Sequence, residues 1–550
     1  MTPGNELLFL ALGGSGEIGM NVNLYGCNGK WLMVDLGMTF ADPYYPGIDL
    51  VFADLEFIEE RQDDLLGIVL THAHEDHIGA VPYFAADLGV PLYATPFTAR
   101  LVAEKLREAG IADKVELNVI PNEGAFSLGP FDLRYVPLAH SIAEGNALLI
   151  DTPHGRVFHT GDWKLDDEPR IGTPATEDEL VAIGNEGVLA LVCDSTNVFN
   201  PKPSGSEGEV RAGLLEAIAG LSGRRVLVTT FASNVARLQT LAEVAQATNR
   251  KLCIAGRSLD RIIAVSKASG YLQDFPDTIG FDEAMDLPRG EVLILATGGQ
   301  GEARAALARI AGDQHPIRLE KGDVVLFSSR QIPGNELAIG RIQNALADKG
   351  IDIVTDRQSM IHVSGHPGRP ELVALYDWLR PEMLVPVHGE IRHMTEQARL
   401  GAGEGIGRAI VQKNGDLLRL APNGPKKLTE VRAGRLVLDG DIIAPADGEA
   451  VVARRRLANN GLVTVAVAVS RDGRLASDVE VASIGLPLDE DMGDFIAEAQ
   501  ADVETAIGAL KGDRKRDRLA VAETIRLAAR RAAQRWSGKK PVVQVMLREG

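Results

Sequence analysis

The sequence predicts an α/β protein in which one layered domain is interrupted by a second, followed by a small α+β module. Three observations predict it. Residues 1–205 alternate apolar, strand-like runs with helical stretches, the pattern of helices laid outside a sheet core. Residues 206–350 carry a separate run of strands and helices that reads as an inserted parallel sheet. A series of histidines and acids at strand ends begins before this block and resumes only after it. The first domain is therefore split, and its last strands return in 351–450 ahead of a linker.

Taken in order, residues 7–12 read as a first strand rather than a signal peptide, because the run is short, follows no basic stretch and enters glycines. Residues 30–34 lead as a strand to Asp35, and 188–192 lead to Asp194. The stretch 200–206, rich in Pro, Gly and Ser, breaks the pattern. The insertion then supplies strands at 225–230, 251–255, 291–296 and 323–327, with a helix from Val235 to Ala247 after Ser233 and Asn234. In the last module, 460–550, strands at 463–469 and 477–481 flank the turn Arg471-Asp472-Gly473. Helices near 494–511 and 518–536 and a strand at 542–547 complete it. The second helix bears Arg526, Arg530, Arg531 and Arg535 after Arg514-Lys515-Arg516. A solvated face is the ordinary reading of such a run; RNA or subunit contact is the sharper one.

The chemistry lies in Thr71-His72-Ala73-His74-Glu75-Asp76-His77, after the apolar strand 66–70 and before a helix expected from Gly79. Three imidazoles and two carboxylates fall in six positions of a chain with only 11 histidines in 550 residues, which chance explains poorly. Imidazole nitrogen and carboxylate oxygen are the ligands of hydrolytic zinc. A loop this dense can serve two metals, with His72 and His74 facing one and Asp76 and His77 the other. Further donors follow at strand ends: His140 after 131–138, Asp162 in His159-Thr160-Gly161-Asp162, and His388 after 384–387. Each alone could be a capped turn or a core histidine; after the first motif, the metal reading prevails. His154 and His315 have no such context and read as ordinary surface or turn residues.

The ordered set Asp35, His72, His74, Asp76, His77, His140, Asp162 and His388 resembles the metallo-β-lactamase superfamily. Other segments narrow the resemblance to the β-CASP nucleases and, within them, to bacterial ribonuclease J. They are the glycine-rich 12–19, Cys193-Asp194-Ser195-Thr196-Asn197, Thr230-Phe231-Ala232-Ser233-Asn234, Thr297-Gly298-Gly299-Gln300-Gly301-Glu302, the run 327–336, and His362-Val363-Ser364-Gly365-His366. Ala143, Ala296, Gly299 and Pro367 depart from the family pattern, and none of them removes a ligand.

The resemblance implies a metallo-β-lactamase αββα sandwich interrupted by an α/β β-CASP domain. It implies two Zn²⁺ per chain, with other divalent cations as alternatives. His72, His74 and His140 are assigned to one ion, and Asp76, His77 and His388 to the other. Asp162 bridges them, and Asp35 orients a ligand from behind. His366 is the general acid by the same resemblance, and Asp76 is grouped with it as catalytic. Ser233, Asn234, His362, Ser364 and Gly365 are candidates for a phosphate cradle. Small residues at strand-to-helix junctions let backbone N–H groups reach an anion, although a lone Ser-Asn or Ser-Gly is more often a helix cap. In the family such a pocket reads a 5′-monophosphate and sets 5′→3′ exonuclease direction, beside endonuclease action, in rRNA maturation and mRNA decay. Expected partners are RNA, a second or further copies of the chain as homodimer or homotetramer, and RNA-degradation proteins. Alternatives are a β-CASP nuclease acting on DNA, a thioester or lactone hydrolase, and a catalytically inactive RNA-binding scaffold.

Composition sets outer limits. Hydrophobic residues at 45% and charged residues at 24% are those of a globular protein too long for one core. No apolar run approaches the ~20 residues that span a bilayer, so no membrane association is expected. Cys27, Cys193 and Cys253 are few, odd in number and far apart, which fits a reducing cytoplasm. A net charge of −19 argues against nucleic-acid binding over the whole surface and confines phosphate contact to local cations, bound metal included.

Overall fold

The computed structural model describes residues 4–331 and 334–550; Ile332 and Pro333, within the family-like run 327–336, lie outside the described residues. The chain forms two compact units, one of residues up to Thr39 with Phe52–Gly434, the other of Phe40–Val51 with Arg435–Gly550.

The first unit contains a β-sandwich and an inserted sheet. One sandwich layer has eight strands, with Leu7–Gly13, Val22–Cys27, Lys30–Val34 and Leu65–Val69 at its centre. The other has six: Ala125–Leu128, Phe131–Pro137, Asn146–Thr152, Gly155–His159, Ala190–Asp194 and Met383–Val387. Their inner faces meet in one apolar core, where Phe9, Tyr25, Val34 and Val69 pack with Leu133, Leu148, Ile150 and Val157. Helices Glu177–Glu186 and Arg369–Leu379 cover the outer face of the six-stranded layer through Leu180, Leu372 and Leu375, which pack with Trp163 from the loop after Gly155–His159. Strand Met383–Val387 lies parallel to Ala190–Asp194, so the chain returns to this sheet after the insertion. This is the split that the resumed histidine pattern implies.

The inserted sheet is parallel throughout, ordered Thr278–Ile279, Lys251–Ala255, Val292–Ala296, Val226–Thr229, Val324–Phe327, Asp352–Val354. Its strands are continuous apolar runs because helices cover both faces. A buried ion pair fastens the insertion: Arg237 Nη2 lies 2.9 Å from Glu207 Oε1, and both residues are almost wholly buried.

In the second unit, strand Leu462–Val469 runs between Glu480–Ile484, antiparallel to it, and Val542–Glu549, parallel to it. Val463, Val465, Val467 and Val469 point into a core with helices Met492–Gly508 and Arg518–Ser537, through Phe495, Val503 and Ile525. This alternation is the period of a strand buried on one face. Among the described residues no helix is long and apolar enough to cross a membrane.

Candidate metal centre and active site

The site gathers at the ends of sandwich strands. Lys30–Val34 delivers Asp35, Leu65–Val69 delivers the His72 loop, Phe131–Pro137 leads to His140, Gly155–His159 to Asp162, and Met383–Val387 to His388. The helix expected from Gly79 is Val81–Leu88, and a separate short helix, Glu75–Ile78, precedes it with Gly79 as its C-cap. His74 is extended as the N-cap of this short helix, and Glu75 and Asp76 occupy the first turn, where acidic side chains suit the positive end of the helix. Asp76 and His77 are thus held on a helical turn rather than in a loop. Asp35 and His388 both adopt left-handed backbone, with φ 64° and 51°. For residues with a Cβ this costs roughly 1–2 kcal/mol each, and such strain collects at functional sites.

The side chains form two clusters that share one carboxylate. In the first, His72 Nε2 and His140 Nε2 lie 3.2 and 3.0 Å from His74 Nδ1, and 3.8 and 3.7 Å from Asp162 Oδ2. In the second, His77 Nε2 and His388 Nε2 lie 3.2 and 3.6 Å from Asp162 Oδ1, and each lies 3.7 Å from Asp76 Oδ2. Donors around a tetrahedral zinc at ~2.0–2.2 Å stand ~3.3–3.6 Å apart. The donor separations, 3.0–3.8 Å in the first cluster and 3.2–3.7 Å in the second, bracket that spacing, and Asp162 turns one oxygen to each. Although Asp162 Oδ1 is close to His77, it makes no well-aligned hydrogen bond and is buried, as an oxygen kept for a cation would be.

Each imidazole has its outward nitrogen engaged, which fixes the inward one as a lone-pair donor. His72 Nδ1 meets Thr71 Oγ1 at 3.0 Å, and His77 Nδ1 donates to Asp35 Oδ2 at 2.7 Å. His140 Nδ1 donates to the carbonyl of Gly365 at 2.6 Å, and His74 Nε2 meets Ser233 Oγ at 3.1 Å. His388 Nδ1 meets Asn21 Oδ1 at 2.9 Å. Asp35 also accepts from Thr71 N and Oγ1, so it anchors the histidine loop as a whole.

The electrostatics separate the two clusters. Burial disfavours charge on His77, but Asp162, Asp76 and Asp35 raise its pKa well above the usual histidine range, so this ring would give up a proton on binding a cation, whereas the first cluster needs no such release. Burial, then neighbouring imidazoles, hold His72 and His140 well below the usual histidine range, and burial lowers His74 to about 4. These rings are neutral, as ligands must be. Burial opposes the ionisation of Asp162, but His388, His77 and His366 outweigh it and hold the carboxyl well below its ordinary value.

His366 stands at the rim, its ring 5.4 Å from His140 and 5.5 Å from His388, between the two clusters. Its Nδ1 donates to Asp194 Oδ2 at 2.7 Å, and its main-chain N–H donates to Ser364 Oγ. Burial disfavours its charge, but Asp194, then Asp162, overcome this and raise its pKa to about 9. Sequence reasoning assigned no role to Asp194, although its strand-end position repeats the pattern of Asp35 and Asp162.

The candidates for a phosphate cradle divide. Ser233 and Gly365 border the first cluster as described. His362 has a buried Nδ1 without a hydrogen bond, and burial, then Arg237, Arg330 and Lys164, hold the ring well below its ordinary pKa. Asn234 is a correction: its buried side chain accepts from Arg237 N at 2.9 Å and donates to Glu207 at 3.3 Å. It caps helix Val235–Ala247 and is not free for phosphate. His154 is partly exposed, as expected, whereas His315 is buried against Phe281, its Nδ1 accepting from Ile317 N. On the C-terminal helix, Arg526 pairs with Glu523, and Arg535 with Glu498 and Asp502.

Four family profiles match the chain. They are the metallo-beta-lactamase superfamily over 18–183, the ribonuclease J beta-CASP domain over 223–346, the Zn-dependent metallo-hydrolase RNA specificity domain over 350–411, and the ribonuclease J C-terminal domain over 450–550. The chain is 41% identical to a ribonuclease J of Sinorhizobium meliloti, over 100% of this chain and 98% of the relative. It is 36% identical to one of Corynebacterium glutamicum, over 98% and 76%, and 34% identical to a ribonuclease J 1 of Streptococcus pyogenes, over 92% and 90%. A crystal structure of a protein of unknown function from Enterococcus faecalis shares the fold, with TM-score 0.55 and 17% identity over 75% of this chain and 100% of that one. With a metallo-β-lactamase domain, an inserted β-CASP domain and a C-terminal domain in family order, the chain belongs to the ribonuclease J family.

Proposed function

We propose that the protein is a two-zinc ribonuclease that hydrolyses RNA phosphodiester bonds, acting 5′→3′ from 5′-monophosphate ends and also internally. One observation carries this reading: Asp162 presents one oxygen to each of two histidine clusters whose outward nitrogens are all engaged. Zinc held there supplies Lewis-acid polarisation of a phosphoryl oxygen and activation of water near neutral pH. His72, His74 and His140 would hold one ion and Asp76, His77 and His388 the other, with Asp162 available to both.

The chain supplies the rest. His366 gives a proton to the departing 3′ oxygen. Asp194 takes its Nδ1–H, so Nε2 carries the proton that is transferred, and the carboxylate keeps the ring protonated at neutral pH. Ser233, His362, Ser364 and Gly365 receive the 5′-phosphate. The unpartnered Nδ1 of His362 and the exposed Arg330 near it support this; Arg237 and Lys164 are already paired with Glu207 and Asp166.

By kinship the reading extends to rRNA maturation and mRNA decay in the cytoplasm, with RNA-degradation proteins as partners. It also extends to a homodimer or homotetramer, to which the C-terminal module contributes. Ile484 and Met546, 73% and 48% exposed on strands of that module, supply apolar surface for such a contact. The decisive experiment measures zinc per chain by elemental analysis. It then compares cleavage of 5′-monophosphate RNA, 5′-triphosphate RNA and matched DNA. Preference for the monophosphate RNA with two zincs supports the reading; indifference to the 5′ end removes the exonuclease pocket, and equal cleavage of DNA removes the RNA assignment.

A further inference from the structure

The second cluster contains a residue that neither the histidine motif nor the strand-end pattern signals. Asn21 lies just ahead of strand Val22–Cys27 and is 2% exposed. Its Oδ1 is 2.9 Å from His388 Nδ1, and its Nδ2 donates to the main-chain oxygen of Asp76 at 3.1 Å and lies 3.0 Å from His77 Nε2. The main-chain N–H of Asn21 donates to the same Asp76 oxygen at 2.8 Å. The amide's orientation follows from these partners, because a carbonyl can be served only by Nδ2, which leaves Oδ1 for His388.

The backbone around it is shaped to admit this side chain. A Cβ on Gly14 would lie 2.3 Å from Asn21 Oδ1, and one on Gly37 would lie 1.7 Å from the Asp76 carbonyl oxygen. Gly14 also accepts from the main-chain N–H of His388, so the loop after the first strand cradles that histidine. His388 reaches the site from 367 residues away in sequence and in a left-handed conformation. Nothing in its own strand selects which ring nitrogen faces inward. An obligate acceptor at Nδ1 does, by requiring N–H there and a lone pair on Nε2, the atom facing Asp76 and Asp162.

We infer that Asn21 is a positioning residue of the second half-site: its amide sets the tautomer of His388 and ties that histidine to the Asp76 turn. The inference rests on the metal reading proposed above. It assigns Asn21 a role distinct from that of Asp35. Asp35 presents a carboxylate to His77 Nδ1, whereas Asn21 joins two ligands from opposite ends of the fold through a neutral group that both accepts and donates.

The test measures zinc stoichiometry and the affinity of each site by chelator competition on the full-length protein, for wild type, Asn21→Leu and Asn21→Asp. Asn21→Leu, similar in size but without polar atoms, is expected to keep one tightly held zinc and to bind the second about 10–100-fold more weakly. Asn21→Asp retains an acceptor for His388 but sets an acceptor-only group against the Asp76 carbonyl, so it is expected to bind the second zinc more tightly than Asn21→Leu while staying weaker than wild type. If Asn21→Leu does not fold, Asn21→Ser, too short to reach His388, takes its place. Wild-type affinity at both sites in the apolar or shortened variant, equal weakening of both sites, or full wild-type affinity in Asn21→Asp overturns the inference. A wild type that binds no second zinc instead overturns the metal reading on which it stands.

Discussion

The two halves of the proposed metal centre contain similar side chains but are supported differently. In the half built from Asp76, His77 and His388, the outward nitrogens meet Asp35 and Asn21, both buried in the metallo-β-lactamase sandwich. In the half built from His72, His74 and His140, two of the three outward nitrogens meet groups outside it. Ser233 belongs to the inserted domain, and Gly365 to the loop that follows it. The first arrangement is fixed when the sandwich folds. The second is complete only when the insertion is seated, and it shares Ser233 and Gly365 with the proposed 5′-phosphate pocket. One half therefore behaves as part of a folded core, while the other is linked to the parts that handle substrate.

The largest expected effect abolishes the comparison by removing what the halves share. Asp162→Ala deletes a donor from both clusters, so neither retains four protein ligands. Most activity and most bound zinc should be lost, while circular dichroism and the melting curve stay near wild type because the strands around it are held by the apolar core. Two zincs per chain with near-normal turnover in this variant would refute the shared-ligand geometry.

Next comes the group at the rim, which belongs to neither half. His366→Ala should retain both zincs and RNA binding and lose about 10²–10⁴-fold in rate. Loss of zinc from this variant would make His366 a ligand and withdraw its role as proton donor. Asp194→Asn should have a smaller effect with a diagnostic form. Asp194 is the leading group that raises the pKa of His366 against burial. A general acid acts below its pKa and fails as pH rises through it, so the high-pH limb of kcat/KM should move to lower pH in Asp194→Asn. An unmoved limb would mean that another group titrates in the reaction.

How far these features were legible in sequence follows from what each depends on. The candidate metal donors could be picked out because density near one loop and repetition at strand ends are local patterns, and the α/β layering followed from the alternation of apolar runs. The short helix Glu75–Ile78 was missed because the polar cluster itself forms it, while the helix expected after Gly79 stands at Val81–Leu88. Asn21 and Asp194 escaped because their meaning lies in pairs 367 and 172 residues apart, which no local period records. Asn234 was ambiguous for a physical reason: the same Ser-Asn at a strand-to-helix junction can cap the helix or bind an anion, and only the positions of Glu207 and Arg237 decide between them.

The smallest effect expected sharpens the comparison most. Ser233 Oγ is the partner of His74 Nε2 across the boundary between sandwich and insertion, and the residue is only partly buried. Ser233→Ala removes that partner, yet water can replace it at a partly open position. The loss in zinc affinity should therefore fall at the low end of the range for such outer partners, about 10-fold, and should be confined to the His72–His74–His140 half. If Ser233 also receives the 5′-phosphate, the preference for 5′-monophosphate RNA should decline in the same variant while internal cleavage continues, more completely when Ser364→Ala is added. Chelator competition and end-labelled RNA cleavage on the same preparations read both quantities. Weakening of the other half, or equal loss of end-dependent and internal cleavage, would show that the inserted domain supports the whole centre rather than one side of it, and the distinction between core-held and substrate-linked halves would fail.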